Sequence, residues 1–150
     1  MKDLTTHEIK HILKTNYIGN LSFIWKNKPY VIPITYYYNE EENCIISYSG
    51  EGHKIDAMRT NKAVALGVTQ IQSVTHWQSV LVHGHFEELE GTYAKQELHK
   101  FALGIKKLML FKENKHHQLI SDFSSKISAC GVPIVYRIKI LEITGKHRTY

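Results

Sequence analysis

The chain has little that would staple, repeat or anchor it. Cysteine occurs only at Cys44 and Cys130, too far apart to suggest a disulfide framework or a metal-binding spacing. No apolar run is long enough to span a membrane, and Met1-Lys2-Asp3-Leu4-Thr5-Thr6 is not an apolar leader. No membrane partner and a cytoplasmic location are therefore expected. A dense Lys/Arg tract is missing despite a formal net charge of +5, which argues against nucleic acid and suits a small anionic ligand. Internal repeats, low-complexity segments and linkers are absent too. What remains is an ordinary globular composition, 43% hydrophobic and 22% charged, over 150 residues. That length fits one domain, 1–150, with a core of its own.

Local signals give the elements. Thr5-Thr6-His7-Glu8 has capping-box spacing, and Leu4 with Ile9 can form a hydrophobic staple. Ile9, Ile12, Leu13 and Tyr17 recur at helical spacing, so a helix is expected from Thr6 to Asn16. Strands are expected at Ile18–Trp25, Tyr30–Tyr38, Cys44–Tyr48, Ala63–Thr69, Trp77–Phe86 and Val135–Ile143. Pro33 cannot donate to a ladder, which predicts an edge or a bulge there. A short helix fits Lys54–Asn61, and a longer one fits Tyr93–Leu110 with an interruption at Gly104. This order does not alternate strand and helix. It predicts a mainly β, six-stranded antiparallel barrel with peripheral helices.

Three stretches carry the chemistry. Ser47-Tyr48-Ser49-Gly50-Glu51-Gly52-His53-Lys54 reads as strand, glycine loop and helix start. Such a turn aims backbone N–H groups and a helix dipole at one point, and that point suits a phosphate. Ser47 and Ser49 would add hydroxyl donors, and Lys54 with Arg59 would add positive charge. In Pro29-Tyr30-Val31-Ile32-Pro33-Ile34-Thr35-Tyr36, the proline frees backbone groups that can meet the edge of a planar heterocycle. In Trp77-Gln78-Ser79-Val80-Leu81-Val82-His83-Gly84, Trp77 and Gln78 offer a ring and an amide, and Gly84 allows close backbone approach.

With Ile18-Gly19-Asn20-Leu21-Ser22-Phe23, these blocks follow one another from about Ile18 to Glu88 in an order that resembles the pyridoxamine 5′-phosphate oxidase-like superfamily, in its nitroimidazole-resistance-protein-like branch. The resemblance implies a split β-barrel holding FMN at the interface of a homodimer. It places Pro33, Ile34 and Thr35 along the isoalloxazine ring. Ser47, Tyr48 and Ser49 would run beside the ribityl chain and phosphate, and Lys54 would contact the phosphate. Trp77, Gln78 and Ser79 would lie near the cofactor, from the second subunit. That branch commonly carries a histidine where this chain has Tyr48, so histidine-dependent chemistry is not expected there. The strands Ala63–Val68 and Trp77–Val82 would supply the dimer surface. The implied activity is FMN-dependent oxidoreduction of a small, nitroaromatic or quinone-like acceptor with NAD(P)H or another donor. The alternatives are a non-catalytic flavin carrier or sensor, and a haem-binding split barrel. The short phosphate loop favours a mononucleotide.

Other residues read as structural. Cys44 is expected to be a buried free thiol, and Cys130 an exposed one. His83 and His85 share a strand face without a third ligand, so no metal site is expected. Lys115-His116-His117 is a solvated run, Tyr36-Tyr37-Tyr38 is strand packing, and Lys146-His147-Arg148 reads as a disordered basic tail.

Overall fold

The computed structural model describes residues 1–113 and 132–150. Cys130, Lys115-His116-His117 and most of the polar stretch from Lys112 to Ser128 lie outside the described residues. The strands are β1 (Lys2–Asp3), β2 (Ile18–Trp25), β3 (Lys28–Thr35), β4 (Tyr37–Asn39), β5 (Cys44–Ser49), β6 (Ala63–Ser73), β7 (His76–Glu88) and β8 (Ile134–Thr149). The helices are α1 (Thr6–Thr15), α2 (His53–Thr60) and α3 (Gly91–Glu113).

Each pairing among these strands is antiparallel, and the order across the sheet is β3-β2-β6-β7-β8-β5-β4, with β1 on β8. The two ends of that path, β3 and β4, are consecutive in the chain and separated only by Tyr36. The sheet therefore rolls up, and the chain itself joins its edges. At the seam the Tyr36 N–H donates to the Tyr17 carbonyl at 2.8 Å, and its hydroxyl to the Leu13 carbonyl at 2.9 Å. Ser47 Oγ donates to the Thr35 carbonyl at 2.8 Å. This is a split β-barrel with peripheral helices.

Eight strands replace the six expected. The additions are the two-residue β1 and the division of Tyr30–Tyr38 at Tyr36, whose backbone is drawn to Tyr17 instead of a neighbouring strand. Pro33 does sit on the strand at one end of the sheet path. The capping box is present: Glu8 N–H donates to Thr5 Oγ1 at 3.3 Å, and Thr5 N–H to Glu8 Oε2 at 2.7 Å. Two expectations are corrected. Gly104 does not interrupt α3; a Cβ there would stand 2.6 Å from the Tyr37 ring, so the glycine lets helix and strand approach. Nor is the C-terminal basic stretch disordered: β8 runs to Thr149, paired with β7 through Trp77↔Arg148 and with β1 through Lys2↔His147.

Alternation sends one side chain in two to the interior. Leu21, Leu66 and Val82 lie in register on β2, β6 and β7 and are fully buried. A second cluster forms beneath α3 from Tyr17, Cys44, Ile46, Phe101, Ile105 and Val135. Cys44 is a buried free thiol, and burial pushes its pKa up to about 12, so it is unreactive at neutral pH.

Candidate functional site

The glycine loop 50–52 leads from β5 into α2. Gly52 precedes the helix with extended backbone and no side-chain cap, so the first-turn amides have no local acceptor. Lys54 stands in that turn. It is half-buried, burial holds its ammonium below the ordinary lysine value of 10.5, and no carboxylate among the described residues pairs with it. A desolvated cation beside free amides is stabilised by an anion. Arg59 does not join it. Its guanidinium bonds Glu88 at 2.9 and 2.7 Å and Glu51 at 3.0 and 3.0 Å. Arg59 thus ties the loop to the end of β7, and the second cation expected beside Lys54 is already neutralised.

Sequence reasoning missed His53. Its ring meets Tyr30, Trp25 and Phe23 edge-on, with centroids 5.1, 5.6 and 5.9 Å away. Phe23 and Tyr30 stack across the β2–β3 ladder at 5.4 Å. This aromatic group pins the start of α2, and so the position of Lys54. The available signal was the aromatic residues on either side of the Lys26–Asn27 turn.

The strand residues separate by face. Pro33 is exposed and Thr35 half-buried, whereas Ile34 points into the core and can offer a ligand only its backbone. Ser47 is buried and bonded to Thr35, which joins β5 to the end of β3. Ser49 Oγ donates to the Gly50 carbonyl at 2.9 Å, so in this arrangement both serine protons go to backbone carbonyls. Tyr48 faces the other way and packs edge-on against Phe101 at 5.3 Å.

Trp77, Gln78 and Ser79 lie on β7 near its hairpin with β6, in register with Ile71, Gln70 and Thr69. Two strands separate β7 from β3, which puts them three strand spacings or roughly 14 Å apart along the sheet. Within one chain this trio and Pro33 thus lie on strands that are not neighbours. Gly84 makes the close approach expected of it: the β7–β8 register shifts between His83 and Gly84, and a Cβ on Gly84 would stand 2.4 Å from the Lys139 carbonyl. His83 and His85 are both exposed.

A groove of about 300 Å³ opens beside the Ile18–Thr35 pair, lined by Asn16, Ile18, Asn20, Gly67, Thr69 and Lys112. Lys112 Nζ donates to Asn16 Oδ1 at 2.8 Å, and burial lowers its pKa too. Asn16 and Lys112 were not singled out by sequence, because nothing local shows that the end of α3 returns to the start of β2. A larger cavity of about 580 Å³, between α1, β4 and α3, is lined by none of the expected site residues.

The corner at Lys54 thus fits a phosphate, and Pro33 leaves part of β3 exposed. The family model described as pyridoxamine 5′-phosphate oxidase matches residues 5–147. An uncharacterized protein of Rhizobium meliloti is 26% identical over 145 residues, covering 95% of this chain and 92% of that one. The crystal structure of an FAD-binding protein from Mesorhizobium loti superposes with a TM-score of 0.73 at 26% identity, covering 99% of this chain and 98% of that one. An FAD and heme binding protein from Mycobacterium smegmatis shares the fold, with a TM-score of 0.73 at 14% identity over 99% of this chain and 74% of that one.

Proposed function

The chain belongs to the pyridoxamine 5′-phosphate oxidase family, and on that premise we propose that it is a flavoprotein that grips FMN between two copies of itself. The observation that carries the reading is Lys54: a half-buried ammonium with no carboxylate partner among the described residues, at an uncapped helix start. Lys54 and the first-turn amides of α2 would hold the flavin phosphate. Backbone of Pro33–Thr35 would border the ring, and Ser47 and Ser49 would line the path between. Bound flavin supplies hydride or single-electron transfer. The chain's part is to bind and orient it, and to leave one face open to a planar acceptor of the nitroaromatic or quinone type.

The separation of β7 from β3 within one chain supports a shared site, in which Trp77, Gln78 and Ser79 would approach a ring at Pro33 from a second copy. The relative from Mesorhizobium loti is named for FAD, so the identity of the flavin is itself a test. The experiment is the absorbance spectrum of freshly purified protein, followed by release and chromatography of the chromophore. Flavin bands with FMN released are expected. Lys54→Ala should then lower flavin affinity by roughly tenfold or more, the scale of one lost charge-assisted contact. A colourless protein that refuses added FMN and FAD contradicts the proposal. Turnover of a quinone with NADPH or NADH distinguishes an oxidoreductase from a flavin carrier.

A further inference from the structure

The glycine loop meets the phosphate corner with few packing contacts of its own. Glycines flank Glu51 on both sides, and a β-carbon on Gly50 or Gly52 would meet nothing within 4 Å. The Ser49 bond to the Gly50 carbonyl is internal to the turn, and Gly52 gives α2 no side-chain cap. What ties this loop to the barrel is Arg59. Its Nη1 and Nη2 donate to the two oxygens of Glu51 at 3.0 Å each, and its Nε and Nη2 donate to the two oxygens of Glu88 at 2.9 and 2.7 Å. Asp56, in the first turn of α2, stands 3.8 Å from the same guanidinium. A single exposed ion pair contributes little, whereas a fork shared bidentately by two carboxylates is the geometry in which such pairs do contribute. Glu51 belongs to the loop, Arg59 to the last turn of α2 and Glu88 to the end of β7. One side chain thus bridges a loop, a helix and a strand.

We propose that Arg59 is a strap on the phosphate corner: it holds the loop to the end of β7 and sets how fast a flavin phosphate enters and leaves, not how tightly it is held. The proposal rests on the flavin reading for its ligand. The guanidinium is already claimed by two carboxylates, so it offers the ligand no charge. Its bonds are complete within the chain. They stabilise the loop alike with the corner empty or filled, and so they cancel in the affinity. In the rates they do not cancel. A phosphate seated on Lys54 and the first-turn amides leaves when the backbone carrying those amides swings away, and that motion has to break the Glu51–Arg59 fork. The same opening admits the next phosphate.

The test follows FMN fluorescence, on stopped-flow mixing with flavin-stripped protein for uptake and on dilution of the holoprotein for release, with Kd from equilibrium dialysis. In Glu51→Gln and Arg59→Gln, uptake and release should each speed up by roughly threefold to fivefold, the upper range for an exposed ion pair. Kd should stay within about twofold of the parent value. Arg59→Lys keeps the charge and loses the fork, so it should behave as Arg59→Gln does. Parent-like rates in any of the three variants overturn the proposal. So does a rise in Kd that matches the rise in release rate while uptake is unchanged, which would place Arg59 in the grip itself. A second readout needs no flavin. The Asp56 N–H donates to the Gly52 carbonyl at 3.1 Å, at the junction of loop and helix. Its hydrogen exchange, read by NMR on flavin-free protein, should be roughly threefold faster in Glu51→Gln. If the parent takes up no flavin, the flavin reading fails and this exchange alone decides: a faster rate keeps the strap, and a parent-like rate overturns it.

Discussion

The two outer sides of the barrel are finished differently. On one, α3 lies against β5 and β8, and Cys44, Ile46, Phe101, Ile105 and Val135 are buried between them. On the other, β3, β2 and β7 turn Val31, Ile18 and Leu81 outward, and these remain 65, 56 and 38% exposed. Both sides are built on the same antiparallel ladder. The backbone therefore does not decide the difference; what covers it does. Val31, Ile18 and Leu81 sit in different rows of the ladder, beside polar neighbours such as Asn20, Ser22 and His83. Val31, Ser22, Ala65 and His83 form one outer row, and Pro33, Asn20, Gly67 and Leu81 the next. Small residues at the centre of those rows allow another surface to come close.

The contrast can be broken from either side. The largest effect is expected inside the barrel. Leu66→Ala removes a fully buried side chain at the centre of the β2-β6-β7 register and should cost about 3 kcal/mol in denaturant unfolding. Leu81→Arg, on the open side, should leave the circular dichroism spectrum intact and convert a dimer to a monomer in sedimentation. A monomeric parent protein would show instead that the open side has no second copy to receive. At the seam, Tyr36→Phe loses the bond to the Leu13 carbonyl and should cost about 1 kcal/mol.

The remaining predictions sharpen the difference between two cations of α2. Burial lowers the Lys54 pKa, so its charge is lost as pH rises through a value below 10.5. Only the protonated form attracts a phosphate, so flavin retention should fall over that alkaline range, and Lys54→Ala should abolish the dependence. A flavin phosphate would itself raise the pKa and move the fall upward. Arg59 is held above its ordinary range by hydrogen bonds to Glu88 and Glu51 and has no charge to spare. Arg59→Gln should therefore change flavin retention least of all. An equal loss in both variants, measured by equilibrium dialysis, would mean that the helix as a whole, not Lys54, makes the grip.

Much of the barrel was legible because its signals are local. The Ile18–Trp25 strand, the Thr5–Glu8 capping box and the glycine loop before Lys54 are all set by neighbours in sequence. What was not legible depends on partners far along the chain. The break at Tyr36 follows from Tyr17 and Leu13, and β8 outlasts its alternating pattern because β7 and β1 offer it a ladder. A glycine costs about 1 kcal/mol in a helix, and Gly104 is tolerated in α3 because the Tyr37 ring occupies the place of its side chain. The site shows the same limit. Spacing placed Lys54 and Arg59 side by side, and only the fold shows that Glu51 and Glu88 claim one of them.

Native mass spectrometry of the purified protein tests the shared flavin site most directly. A dimer carrying two flavins is expected, and it should separate into flavin-free chains when Leu81→Arg breaks the interface. A monomer that retains flavin would contradict it, because one chain alone would then hold the cofactor.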